Sequence, residues 1–112
     1  MMAGIKITGL DKLQKKLQKN VNLNDVKRVV SHNGAEMQTK AQQNAPVDTG
    51  HLKRSIGLEI KDGGMTAEVE PTAEYAPYVE YGTRFMSAQP YLKPAYNEQK
   101  RKFEQDMKKL VR

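Results

Sequence analysis

The spacing of apolar residues changes near the middle of the chain, from a helical period before residue 45 to an alternating period after residue 52. Between the two lies a turn signal, in which Pro46 is followed by Asp48, Thr49 and Gly50. Proline disfavours a helical conformation for the residue before it, and Asp, Thr and Gly are common in turns for separate physical reasons. The pattern predicts a helix that ends here and is followed by a β-strand.

Residues 22 to 45 predict a long helix with one buried stripe. Asn22 or Asn24 can cap its N-terminus, and Asp25 is favourable in its first turn. Gly34 lies on or beside the stripe, where it would let another backbone approach closely, although glycine costs about 1 kcal/mol relative to alanine inside a helix. The apolar stripe repeats every three or four residues: Val26, Val29, Val30, Asn33, Met37, Ala41 and Ala45. The outward face is expected to carry Lys27, Arg28, Gln38 and Gln42.

Alternating apolar residues predict an antiparallel sheet. One strand is expected from Leu52 to Lys61, with Leu52, Ile56, Leu58 and Ile60 on one face and Arg54 near the end of the sheet. The turn 62–64, which reads Asp-Gly-Gly, joins this strand to a second strand over residues 65–70, so the pair forms a hairpin. A further short strand is expected over residues 5–10. A short basic helix is expected to follow it over residues 11–21.

Three tyrosines, Tyr75, Tyr78 and Tyr81, are spaced three residues apart, so one or two helical turns would align them. Pro77 fits the first turn of such a helix, and Gly82 fits its C-terminal end. Two interpretations remain open for this cluster. It forms either a small aromatic core with its hydroxyls at the rim, or a surface that contacts a partner, since Tyr is enriched in interfaces.

An irregular loop over residues 84–89 separates the tyrosines from a final helix. Arg84, Phe85 and Met86 lie in this loop, and they either tuck under the domain or contact another subunit. Pro90 and Pro94 frame the start of the last helix, with Pro94 in its first turn. The apolar stripe of this helix is spaced at three or four residues: Leu92, Tyr96, Gln99, Phe103, Met107 and Leu110.

The 112 residues predict a single domain that spans residues 1–112. Only 38% of the residues are hydrophobic, so the core is thin and neighbouring molecules are expected to contribute stability or function. The net charge of +6 suits an acidic protein surface or, as the alternative interpretation, nucleic acid. No cysteine is present, which fits a reducing compartment. No apolar run is long enough for a membrane helix, and the N-terminus lacks the apolar core of a signal peptide.

The candidate chemistry is sparse. His32 and His51 are the only histidines, and neither has the spacing of a metal site. A triad of Asp48, His51 and Ser55 can be drawn, but neighbours around one turn do not form one, and the glycine-serine-glycine elbow of hydrolases is missing. No phosphate-binding glycine loop is present. We therefore predict no enzyme, no metal and no cofactor, and a small hydrolase centred on His51 is the least favoured alternative.

Three segments in this order resemble the gene-product-ten-like head–tail joining and tail-completion proteins of long-tailed bacteriophages and prophages. The first is a turn followed by a predicted strand, carried by Pro46, Asp48, Thr49, Gly50, Leu52 and Ser55. The second is the tyrosine segment, carried by Tyr75, Tyr78, Glu80, Tyr81, Gly82 and Thr83. The third is the start of the last helix, carried by Pro90, Leu92 and Pro94.

The resemblance implies an α+β domain in which a long helix packs on a small antiparallel β-sheet, with a short N-terminal and a long C-terminal helix. It implies a structural protein of the virion neck, which is assembled in the host bacterial cytoplasm. Its partners would be copies of itself in a ring, six in the virion or a single copy in isolation, together with the tail tube and the head connector. It implies neither a membrane nor nucleic acid as a partner, and it brings no catalytic residues to transfer.

Overall fold

A computed structural model describes residues 4–9, 22–46 and 50–110. In chain order the described elements are β1 (Ile5–Thr8), α1 (Leu23–Asn44), α2 (Gly50–Ser55), β2 (Ile56–Lys61), β3 (Thr66–Pro71), α3 (Ala76–Tyr81) and α4 (Leu92–Lys109). The three strands form an antiparallel sheet in the order β1-β3-β2. The predicted α+β class is confirmed, with the two long helices packed together and against the sheet. The short helix expected over residues 11–21 lies outside the described residues.

The prediction that a strand begins at Leu52 is wrong. Residues Gly50–Ser55 are helical, and the strand begins at Ile56. Leu52 and Ile56 are both buried, and a spacing of four residues satisfies a helix as well as a strand. The alternating pattern alone therefore could not separate the two structures. Arg54, which was expected at the end of the sheet, is instead an exposed residue of α2.

The long helix α1 is unbroken, as its apolar stripe predicts. The side chain of Asn22 caps it by accepting a hydrogen bond from the backbone N–H of Asn24 at 2.8 Å. Gly34 lies directly over the central strand, where an added Cβ would come within 2.6 Å of the Cβ of Ala67. Glycine at this position therefore allows close contact between helix and sheet, as the sequence predicts.

Two glutamines that the sequence assigns to the outward face of α1 have another role. The side-chain amides of Gln38 and Gln42 donate hydrogen bonds to the carbonyl oxygen of Ile56, at 3.0 and 3.5 Å. Both side chains are half-buried. They attach the helix to the first residue of β2, where the chain changes from α2 to the sheet.

The predicted hairpin of β2 and β3 is confirmed. Its connection is a short 3-10 turn over Asp62–Gly64, and Asp62 and Gly63 have the positive φ angles of 55° and 65°. On the outer face Glu59 lies opposite Glu68, a like-charge pair that would oppose this register. The ammonium group of Lys61 bonds both carboxylates, at 3.3 and 2.6 Å, and so compensates their repulsion. Hydrogen bonds to these carboxylates raise the pKa of Lys61.

A buried polar network joins the two long helices. The amide of Gln99 in α4 donates to Asn33 Oδ1 at 2.5 Å and to Glu36 Oε1 at 3.0 Å. Asn33 in turn donates to Asp106 Oδ2 at 3.0 Å, and Lys102 bonds both oxygens of Glu36. Asn33 and Gln99 are fully buried. These bonds fix the register of α4 against α1, because a shift of either helix would leave buried polar groups without partners.

Glu36 makes the stability dependent on pH. The hydrogen bond from Lys102 holds the pKa of the Glu36 carboxyl below its usual 4.5. A carboxyl with a lowered pKa stabilises the fold above its unfolded-state pKa, and this contribution is lost as the pH falls through the folded-state value. Glu36→Gln should therefore unfold at lower urea than the wild type at pH 7, by less than about 1 kcal/mol because the group is partly exposed.

The urea midpoints of the two proteins should converge as the pH falls from 4.5 through the lower folded-state pKa of Glu36, where its carboxylate becomes protonated in the folded protein. A constant difference between pH 7 and acid pH would contradict this assignment. Such a result would show that the substitution acts through packing and not through the charge of Glu36.

Candidate interaction surface

The tyrosine segment forms the short helix α3, Ala76–Tyr81, with Pro77 in its first turn and Tyr75 immediately before it. Its buried side comprises Ala76, Val79 and Glu80. Tyr75 is half-buried and its ring lies 6.1 Å from the ring of His51. Tyr78 and Tyr81 are 58% and 61% exposed, so the second of the two open interpretations, a contact surface, fits these two tyrosines.

Gly82 ends α3 and turns the chain. Its φ angle is 78°, a conformation that residues with a side chain rarely adopt. An added Cβ would also come within 2.7 Å of the backbone nitrogen of Ala88. Both facts require glycine here, because the chain doubles back over its own backbone.

The residues after Gly82 form a defined turn, Thr83–Met86, which we call the Phe85 turn. Thr83 and Met86 exchange both backbone hydrogen bonds, at 2.9 and 3.2 Å. The Phe85 N–H donates to the Thr83 hydroxyl at 3.1 Å. The N–H of Gln89 then donates to the carbonyl of Val79 at 2.8 Å, which attaches the end of the loop to α3. The loop that the sequence predicts to be irregular is thus held by several backbone bonds.

The Phe85 turn presents a large apolar side chain to solvent. Phe85 is 86% exposed, and Met86 is 43% exposed. The guanidinium carbon of Arg84 lies 5.0 Å from the centre of the Phe85 ring, which is the distance of a cation–π contact. Together with Tyr78 and Tyr81, these residues form what we call the aromatic surface. An open groove of about 540 Å³ runs across it from Pro77 to Phe85.

Glu80 connects this surface to the last helix. Its side chain is 5% exposed, and Oε1 accepts hydrogen bonds from the backbone N–H groups of Tyr91 and Leu92, at 3.0 and 2.9 Å. Oε2 accepts a third from Lys93 at 3.2 Å. The N-terminus of a helix carries unpaired N–H groups and partial positive charge. A carboxylate from α3 therefore caps α4, and this joins the second and third family-like segments.

Tyr91 is the largest side chain that is fully buried. Burial raises the pKa of its hydroxyl, and the nearby carboxylate of Glu80 acts in the same direction. Its hydroxyl has no hydrogen-bond partner in the described part of the chain. The residue therefore acts in the structure mainly through the volume of its ring beneath the start of α4.

The first family-like segment lies away from the aromatic surface in sequence and is only partly described. Pro46 follows α1, residues 47–49 lie outside the described ranges and include Asp48 and Thr49, and Gly50 begins α2. Leu52 is fully buried, and the hydroxyl of Ser55 donates to the carbonyl of Leu52 at 2.8 Å. The described residues of this segment thus contribute to packing and to the end of α2.

Several of the basic residues are paired with carboxylates. Lys40 lies 3.5 Å from Glu98, and Lys102 bonds Glu36.

The third family-like segment lies at the start of α4. Pro94 is in the first turn of the helix, as predicted, and Pro90 lies just before the helix. Helix α4 carries both basic and acidic side chains, and the aromatic side chain of the exposed turn, Phe85, lies on a separate part of the chain.

No group of three or more metal-ligating side chains occurs within residues 4–9, 22–46 and 50–110. Across the same ranges no helix is both long and apolar enough to cross a membrane. His51 is exposed beside Tyr75, and the hydroxyl of Ser55 is used in its own helix. A prominent feature of the described surface is the exposed apolar turn with Phe85 and Met86, and exposed apolar surface is common at sites of protein–protein contact.

Comparison with known proteins agrees with this class. The model of a family described as "Bacteriophage HK97-gp10, putative tail-component" matches residues 9–82, about two thirds of the chain. The chain belongs to this family and is a structural phage protein of the tail-component type. No curated protein and no solved structure shows a significant match to it. The resemblance stated from the sequence is thereby confirmed at the level of the family.

The matched range includes the first family-like segment and the second as far as Gly82, and it ends one residue before Thr83. The Phe85 turn and α4 follow it. The second family-like segment contains Glu80 without indicating its role. This acid lies eleven residues before Tyr91, the cap position of a helix that has no Ser, Thr, Asn or Asp there. The lack of a local capping residue is the sequence signal that a distant side chain caps this helix.

Proposed function

We propose that this chain is a subunit of the head–tail junction of a tailed phage or prophage, where copies form a ring and dock on the tail tube and on the head connector. Membership of the tail-component family supports a structural role in the virion. The observation that carries the finer proposal is the aromatic surface, in which Phe85 is 86% exposed on a hydrogen-bonded turn.

The energy of such a contact favours this role. Phe85 is 86% exposed and therefore adds little to the stability of the isolated subunit, whereas burial of an aromatic side chain in an interface can contribute a large single-residue term. The turn is already ordered by its backbone bonds, so little conformational entropy is lost when it binds. The aromatic surface is therefore assigned to protein–protein contact, and the exposed basic residues of α4 to acidic surfaces of the tail tube or connector.

The proposal is tested with a phage or prophage in which the gene is inactivated and then supplied in trans. Without the protein, filled heads and separate tails should accumulate and should be visible by electron microscopy. Wild-type protein should restore joined particles. If the inactivated gene still gives normal numbers of joined, infectious particles, the proposed function is wrong.

Phe85→Asp should fail to restore joined particles. Loss of the aromatic ring and burial of a charge should weaken each contact by at least about thirtyfold, which corresponds to about 2 kcal/mol. Leu23→Asp is the matched control, because Leu23 is 49% exposed at the first position of α1, where an acid is tolerated. The plating titres of the two complemented strains measure the difference. Equal titres would contradict the role of Phe85.

A further inference from the structure

We propose that the Phe85 turn of one subunit inserts into a groove between β1 and α4 of the next subunit, so that one repeated head-to-tail contact builds the ring. The inference rests on the self-association in the proposed function and names the two surfaces that meet. Both surfaces lie in the described part of the chain, on different elements.

The receiving site, which we call the β1–α4 groove, is an open depression at one edge of the sheet. Strand β1 is an edge strand, and α4 packs beside it. The floor of the groove is apolar and is formed by Ile7, Tyr96 and Phe103. Its rim is polar and is formed by Lys6, Thr8, Lys100 and Glu104. An apolar floor with a polar rim is the usual form of a site that receives an anchoring side chain.

The groove and the turn fit in size. The groove has a volume of about 190 Å³, and a cavity of about 150 Å³ lined by apolar side chains is large enough to hold benzene. The ring of Phe85 can therefore enter it and contact the rings of Tyr96 and Phe103, as aromatic pairs do in cores and interfaces. Phe85 lies at the tip of its turn, so it can enter without a change in the backbone.

One pair of opposite charges, Arg84 and Glu104, fits as well. Arg84 stands next to Phe85 and stacks on its ring. Glu104 stands on the rim of the groove, and its carboxylate makes no ion pair or hydrogen bond with any described residue. A guanidinium that enters beside the phenyl ring can bond this carboxylate through two nitrogens. The groove therefore supplies an acid for Arg84, which pairs with no carboxylate among the described residues of its own subunit.

Two lysines on the rim, Lys6 and Lys100, add positive charge that must also be accommodated. The carbonyl oxygens of Arg84 and Phe85 accept no hydrogen bond within the described residues. Each lysine ammonium can donate to one of these oxygens at the tip of the turn. The contact then leaves no lysine ammonium without an acceptor, as a stable interface requires.

The arrangement determines the symmetry. The turn and the groove are different surfaces, so a pair of subunits that uses them leaves one free turn and one free groove. Such a heterologous contact continues from subunit to subunit and closes into a ring if the rotation allows. A two-fold dimer would instead bring the same surface of both subunits together.

The absence of cysteine from the chain gives a direct test. The double variant Arg84→Cys, Glu104→Cys and both single variants are supplied in trans to phage that lack the gene. Isolated particles and tails are treated with a short bifunctional maleimide and separated on a denaturing gel. The double variant should give a ladder of linked subunits whose highest band counts the ring, and each single variant should remain monomeric.

Two results would overturn the inference. One is a double variant that enters particles in normal amounts and stays monomeric on the gel. The other is a dimer from Arg84→Cys alone, which would show that two turns meet about a two-fold axis. Because the strain without the gene tests the head–tail role separately, a failed ladder in a strain that still needs the protein rejects this contact and leaves the proposed function standing.

A charge exchange gives an independent measurement in the same phage. Arg84→Glu and Glu104→Arg should each lower the yield of joined particles by about tenfold or more, because each places like charges opposite each other. The double variant that carries both changes restores the pair and should recover most of that loss. A double variant as poor as the worse single variant would show that Arg84 and Glu104 do not meet.

Discussion

Replacing Glu80 with alanine is expected to lower the free energy of unfolding by about 3 kcal/mol. The buried carboxylate accepts hydrogen bonds from the backbone N–H groups of Tyr91, Leu92 and Lys93. The next residue, Pro94, has no N–H. Glu80 and Pro94 thus account for the four positions at the start of α4 that have no partner within the helix. Alanine would leave three donors without a partner beside a buried ring.

Urea unfolding followed by circular dichroism measures this change. Glu98→Ala is the matched control, because it removes the same carboxylate group at an exposed position of α4, the helix that Glu80 caps. The Glu98 side chain is 68% exposed, and its partner Lys40 is half-buried. That variant should lose less than about 1 kcal/mol. Glu80→Gln keeps one acceptor and loses the charge, so its stability should lie between the wild type and Glu80→Ala. Similar values for Glu80→Ala and Glu98→Ala would contradict the capping role.

Gly34→Ala is expected to destabilise the protein by about 2 kcal/mol, although helix propensity predicts the opposite sign. Alanine inside a helix is more favourable than glycine by about 1 kcal/mol. The new methyl group would lie 2.6 Å from the Cβ of Ala67 and 3.2 Å from a methyl carbon of Leu58. Carbon atoms prefer about 3.5 to 4.0 Å. The strand and the helix must therefore separate at this position, and the packing loss exceeds the gain in propensity.

The partner of the new methyl group provides the control for Gly34→Ala. Ala67→Gly removes the carbon atom that the methyl group would strike, at a cost of about 1 kcal/mol for a glycine within a strand. If the clash determines the effect, the double variant should be more stable than Gly34→Ala alone. A double variant whose loss equals the sum of the two single losses would show that the two sites do not interact.

The sequence predicts most of the fold because its long elements are strongly periodic. The spacing of Val26, Val30, Met37 and Ala41 is compatible with one face of a helix, and all four are buried in α1. The turn around Gly63 could be predicted from local chemistry, since glycine readily adopts the positive φ found there. In α1 the spacing of the apolar residues, and in the turn the glycine itself, are each compatible with one local structure only.

Other features depend on contacts that no local pattern contains. The helix Gly50–Ser55 replaces a predicted strand because burial of Leu52 and Ile56 is compatible with both periods. The hydrogen bonds of Gln38 and Gln99 join residues far apart in the chain. The sequence therefore assigns Gln38 to the polar surface, and it places Gln99 on a buried stripe without indicating a partner for its amide. The exposure of Tyr78 and Tyr81 was left open for the same reason. Their spacing fixes their alignment on α3, and only the surrounding fold determines which side faces the core.

The strand order β1-β3-β2 also determines the sequence of events during synthesis. Ile5 pairs with Val69, so β1 emerges from the ribosome before its partner β3. It cannot pair until residues 66–71 have been translated. The hairpin of β2 and β3 has no such delay, because its two halves are neighbours along the chain and closing a short loop is fast. The nascent protein is therefore expected to form the hairpin of β2 and β3 first. Strand β1 should then pair with β3 and complete the sheet.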